Sequence, residues 1–185
     1  MAEIIDALRA EHRNIAKLLV ILERQVDRME AGERPDFDLI EQIVDYFFDF
    51  PEAAHHPKED IVYAAVEAGN APAALAAMDL DTDHENVTAQ LKQFAHAVES
   101  VLMEAAVPRE TFVLAARAFI EDQRRHMRME EEVFFPAALK ALSEEEWEQV
   151  REKLPADKDA LFGGEVAQRY QDLSDQIAAW EAAAA

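Results

Sequence analysis

Apolar side chains recur along this chain every three or four residues, and nowhere do they alternate with polar ones long enough to make a strand. The first stripe is Ile4, Leu8, Ile15, Leu19, Leu22, Val26 and Met29. It predicts a helix over residues 3–31, stopped by Gly32 and followed by Pro35. A second stripe, Ile40, Val44, Phe47, Phe48 and Val62, predicts a helix from about Asp36 to Gly69. Pro51 and Pro57 fall inside it and predict a kink or brief break between Phe50 and Lys58. The third stretch opens with Pro72 as a first-turn proline and runs through Val87, Leu91, Phe94, Val98 and Leu102 to about Ala106. The fourth opens with Pro108 and carries Phe112, Phe119, Met127, Val133 and Phe134 to about Leu142. Ser143 and Glu146 have capping-box spacing, which predicts a short helix over residues 144–154. Phe162-Gly163-Gly164 then leads into a last amphipathic helix over residues 165–181.

Four long helices with short connections predict an all-α fold: an up-down-up-down four-helix bundle with short extra C-terminal helices. Residues 1–142 form the bundle in this reading, and residues 143–185 form a helical extension packed on it. Trp147, Trp180 and Phe162 are expected in that packing.

The 185 residues include 39 acidic and 18 basic side chains, for a formal charge of −21, and no cysteine. That balance argues against nucleic-acid and anionic-membrane partners, which need a basic footprint. The missing thiols exclude disulfides, iron–sulfur ligation and thiolate zinc sites. The start has no basic and apolar leader, and no run of roughly 18 apolar residues suggests a membrane span. A soluble, cytoplasmic protein is expected.

Four of the six histidines fall on the apolar faces of four different helices. His12 lies between Leu8 and Ile15, His84 precedes Val87, and His55 and His126 lie on the inner lines of the second and fourth helices. A lone histidine on an apolar face is more often a satisfied core residue than a ligand. At about 1.5 Å per residue, however, antiparallel packing brings all four to within a turn or two of one level. Two of these helices add a carboxylate at the same offset, as His55-x-x-x-Glu59 and His126-x-x-x-Glu130. That spacing puts both side chains on one helix face. An inward glutamate among Phe, Val and Leu costs several kcal/mol unless it is paired or metal-bound. Nitrogen and oxygen donors without thiolate suit two iron, manganese or zinc ions bridged by carboxylates, iron being favoured where oxygen chemistry is done.

The pattern resembles the hemerythrin family, in particular the bacterial hemerythrin-like HHE cation-binding proteins. The resemblance rests on Glu11-His12, His55-His56-Pro57-Lys58-Glu59-Asp60, Asp83-His84-Glu85, and His126-x-x-x-Glu130-Glu131 with Phe134-Phe135-Pro136, and covers residues 1–142. It implies a non-haem di-iron centre with His12, His55, His84 and His126 as terminal ligands. Glu59 and Glu130 would bridge the irons beside an oxo or hydroxo group. Oxygen carriers of the family have a fifth histidine one turn after that of the third helix, where this chain has Thr88. His56 is free to contribute, although His55 fits the inward line better. Fewer imidazoles imply more open coordination sites, which favours sensing, peroxide or nitric-oxide chemistry, or substrate oxidation over oxygen carriage. Tyr63, Glu11, Asp83 and Glu131 are expected to orient the ligands.

The leading reading is therefore a di-iron protein that binds or senses O2 or a related small ligand such as peroxide or nitric oxide. The alternative is an oxidase, peroxidase or iron-centre repair enzyme on the same scaffold. A ferritin-like site would need two Glu-x-x-His motifs, and only Glu52-x-x-His55 is present. A bundle with buried histidines and no metal would need the four alignments to be coincidence. No nucleophile elbow, Ser/His/Asp arrangement or phosphate loop can be placed.

Overall fold

A computed structural model describes residues 2–69, 79–103, 107–155, 159–163 and 166–184. Among them every regular element is helical. No helix among them is long and apolar enough to cross a membrane.

Helix α1 spans Ala2–Glu30. Gly32 ends it at φ +84°, a left-handed conformation that only glycine adopts without strain. Its N–H donates to the Met29 carbonyl and that of Glu33 to the Arg28 carbonyl, so two of the last carbonyls are satisfied. Helix α2, Phe37–Phe47, starts on Asp36, whose carboxylate accepts the Leu39 N–H at 3.1 Å. The chain does not break at Pro51. It widens into a π-helical stretch, Phe48–His55, and continues as α3, His56–Ala68. The cause is local: proline has no N–H to give and its ring crowds the carbonyl four residues back. An i→i+5 turn relieves the crowding, and the His56 N–H donates to the Pro51 carbonyl. Pro57 sits in the first turn of α3, directly after the π-helical stretch. The irregularity expected here is thus a π-helical stretch, and the helical run is unbroken from Phe37 to Ala68.

Helix α4 spans Leu80–Leu102, with Asp79 as its N-cap. The predicted start at Pro72, and the predicted end at Ala106, lie outside the described residues. Helix α5, Arg109–Met129, runs through a second π turn, Glu130–Phe134, into α6, Phe135–Ala141. Pro136 again follows the π turn closely, and the Phe135 N–H donates to the Glu130 carbonyl. Helix α7, Glu144–Lys153, carries the capping box read from Ser143 and Glu146. A 3₁₀ turn, Gln168–Tyr170, precedes α8, Gln171–Ala184, so that helix starts later than its sequence pattern suggests.

Helix α1 packs on α2 and α5, and α4 packs on α2 and α5, so four rods enclose a common interior. That interior contains two separate apolar clusters. One is built from Ile15, Leu19, Leu22, Phe47, Leu91, Phe94, Phe112 and Phe119. The other holds Ile5, Leu8, Val62, Phe134, Phe135 and Trp147. His12 lies on α1 between Leu8 of one and Ile15 of the other, in a polar layer that parts the core.

Helix α7 packs on α3 and buries Trp147, while α8 packs on α1 and α2. The buried Tyr46 hydroxyl donates to Asp159 at 2.8 Å, and Tyr170 donates to Asp49. Phe162 packs against Tyr46 with ring centroids 5.9 Å apart. Gly163 is needed in this turn, because a Cβ there would run into the Asp159 carbonyl. The side chain of Trp180 and residues 164 and 165 lie outside the described residues.

Candidate metal centre

Six side chains singled out by spacing converge in the polar layer. Glu59 and Glu130 are fully buried, and His12, His55, His84 and His126 are 1–8% exposed. Their Nε2 atoms all turn toward the two carboxylates. His12 Nε2 lies 3.5 Å from Glu59 and 3.3 Å from Glu130, and His55 Nε2 lies 3.4 Å from Glu59. His84 Nε2 lies 3.5 Å from Glu59 and 3.6 Å from Glu130, and His126 Nε2 lies 3.3 Å from Glu130.

The opposite ring nitrogens are all fixed. His12 Nδ1–H donates to Glu131 at 3.1 Å, His55 to Glu11 at 2.7 Å, His84 to Asp60 at 2.9 Å and His126 to Asp83 at 2.8 Å. A proton held on Nδ1 leaves the Nε2 lone pair facing inward, the tautomer a metal ligand requires. The four acids form a closed circuit. Glu11 on α1 serves α2–α3, Asp60 on α3 serves α4, Asp83 on α4 serves α5, and Glu131 beyond α5 returns to α1. Arg9, Lys58 and Arg125 hold Glu131, Glu11 and Asp83 at 3.0, 2.9 and 2.8 Å.

The sequence reading named Glu11, Asp83 and Glu131 among these supports, together with Tyr63, whose ring packs against Phe134 with centroids 5.8 Å apart. Spacing missed Asp60. The signal was present: each supporting acid is the sequence neighbour of an inward residue, but it serves a histidine on another helix, which one helix's periodicity cannot show. Spacing also placed His56 to one side. His56 is 5% exposed and stacks on His84 with ring centroids 4.3 Å apart. The π turn explains it, because the extra residue lets the consecutive His55 and His56 both face inward. Thr88, where a further histidine was sought, donates its hydroxyl to Glu52, whose other oxygen lies 3.4 Å from His56 Nδ1. A fifth imidazole is therefore present, supplied by the neighbouring rod.

Donor atoms of His56, Glu59, His84 and His126 lie within 4.8 Å of one another, and so do those of His12, His55 and Glu59. The Nε2 atoms of His12, His55, His84 and His126 and all four oxygens of Glu59 and Glu130 are buried without a hydrogen-bond partner. Eight such atoms at one place would be costly in a core meant to stay empty of ions. Their neutral nitrogen and anionic oxygen chemistry fits cations of the first transition series.

The fields in the layer are strong. Burial pushes the His12 imidazole down, but Glu130 and Glu59 outweigh it and raise it to about 10. For His84, Asp60, Glu130 and Glu59 likewise overcome burial, raising it to about 11. Burial opposes the charge on Glu59, yet the surrounding imidazoles hold it well below the ordinary carboxylate range. His126 and Arg125 pull Asp83 down to about 2. Without metal, protons on His12 and His84 lie against the two acids. A cation can replace them.

The sequence model of the hemerythrin HHE cation binding domain matches residues 3–138. The chain belongs to that family, and its buried histidine and glutamate groups fit the cation binding the family is described by. No curated protein and no solved structure matches it.

Proposed function

We propose that the chain is a non-haem di-iron protein that binds or senses O2 or a related small ligand, such as peroxide or nitric oxide. The observation that carries this reading is the set of unpartnered Nε2 and carboxylate oxygen atoms, each imidazole of which is held from behind by an acid. His12 and His55 would hold one ion, and His84, His126 and His56 the other, with Glu59 and Glu130 shared. Iron is preferred to manganese or zinc because the donors lack thiolate and the family centre serves oxygen chemistry. A pair of irons so held would supply redox chemistry to the small ligand.

The protein's own groups do the rest. Glu11, Asp60, Asp83 and Glu131 keep the Nδ1 protons in place and prevent the rings from turning. The apolar clusters on either side exclude bulk water from the layer. The ring of contacts among α1, α2, α4 and α5 supports an up-down-up-down bundle over residues 1–142, with residues 143–185 packed on it. An oxidase or peroxidase on this scaffold is the second reading. Glu52 favours it, as an ionised carboxylate beside His56 that can take up a proton from that ring.

Metal analysis of protein grown with iron, with an absorption spectrum before and after air and peroxide, tests the proposal. Close to two irons per chain and a near-ultraviolet band that responds to the added ligand are expected. Folded protein that takes up no metal overturns it.

A further inference from the structure

A cavity of about 400 Å³ opens between α3 and α4 and reaches the layer from one side. It is lined by Glu52, Asp60, Asp81 and Glu85, with His56 and His84 also on its wall. Lys92 supplies the one ammonium among the lining residues, and protonated His84 adds a second positive charge in the metal-free protein. Four carboxylates against these two cations still leave its field negative, and low-dielectric walls concentrate such a field.

The supports of the layer differ on this side. Glu11, Glu131 and Asp83 are each held by a lysine or arginine, whereas Asp60 and Glu52 have no such partner among the described residues. Asp60 is 46% exposed, and Glu52 keeps one buried oxygen without a hydrogen bond. His56 is the cluster imidazole that is least tied down. Its Nδ1 lies 3.4 Å from Glu52, against 2.7–3.1 Å for the acids behind the other four rings. It is nevertheless 5% exposed and has a donor atom within 4.8 Å of Glu59. A buried imidazole with no firm anchor thus stands between an acid-lined opening and the acids of the layer.

We infer that this cavity is the loading route for the metal: a divalent cation is drawn in by Asp81 and Glu85, met by Glu52 and Asp60, and handed inward past His56. Asp81 and Glu85 act by their charge, from the cavity wall and outside the donor groups of the layer. The inference rests on the proposed metal pair.

The test is the rate of Co(II) uptake by metal-free protein, followed by ligand-field absorption at low and high salt, with final metal content measured separately. Asp81→Asn combined with Glu85→Gln is expected to slow uptake about 5-fold at low salt, and Lys92→Glu to speed it by a similar factor. Both effects should shrink at high salt while final content stays the same. Asp172→Asn with Asp175→Asn on α8 removes the same charge elsewhere and should leave the rate alone. Uptake that is unaffected by the cavity variants, or slowed equally by the α8 pair, overturns the loading route with the metal pair intact. Wild-type protein that binds no Co(II) or iron at equilibrium overturns the metal pair itself.

Discussion

Glu59 and Glu130 are enclosed by hydrophobic core above and below, so their charges must be met within the polar layer. Protons on His12 and His84 meet them in the metal-free protein, which sets a pH dependence with a definite sign. Both imidazoles are raised from 6.5, to about 10 and about 11. Their contribution to stability is therefore complete below pH 6.5 and lost as the pH rises through 10–11. Asp83, lowered from 3.8 to about 2, contributes above pH 3.8 and loses that contribution as pH falls through 2. The melting temperature of metal-free protein should fall steadily from pH 7 to pH 10. Metal binding requires deprotonated ligands, so the stabilisation gained on adding metal should grow over the same interval. A pH-independent melting temperature in the metal-free protein would contradict this account. The supporting acids are separable from the ligands. Glu11→Ala removes the acceptor behind His55, and metal affinity measured by chelator competition should weaken about 10- to 100-fold. At this scale the sequence was most informative: six residues of the layer were legible from spacing, and His56, which joins them, was set to one side. Asp60 was not: its partner His84 lies on a different helix, and no spacing within one helix pairs them.

The two π turns are what periodicity alone could not supply. Pro51 and Pro57 signalled an irregularity, expected as a kink or brief break. The chain takes up Pro51 by widening one stretch without a break, and this changes which side chains face inward. A 3.6-residue repeat admits either His55 or His56 to the inner line, whereas the widened turn admits both. The second π turn begins at Glu130, so an i→i+5 turn abuts each His-x-x-x-Glu pair. Pro51→Ala removes the crowding that sustains the first turn. It should let α-helical geometry extend toward His55 and swing His56 from the layer. Chelator competition is expected to show metal affinity down about 10-fold, while the melting temperature of the metal-free protein is not lowered. Unchanged affinity would mean the turn is held by packing and not by the proline.

Across the whole molecule, a polar layer divides what would otherwise be one continuous core. The helical class, the four long rods and the capping box of α7 were all legible, since each depends on local periodicity or local side chains. How residues 159–184 attach was not, because Tyr46–Asp159 and Tyr170–Asp49 join positions more than a hundred residues apart. Tyr46→Phe deletes the first of these bonds and strips the partly buried Asp159 of its phenolic donor. Urea unfolding should report a loss of about 1–2 kcal/mol with metal content unchanged. Loss of metal as well would couple the C-terminal segment to the layer. The measurement that bears most directly on the whole account is anomalous X-ray scattering at the iron edge from crystals of the iron-grown protein. Two peaks are predicted between Glu59 and Glu130, one beside His12 and His55, the other beside His84 and His126. An empty layer, with those rings turned away or bonded to water, would contradict it.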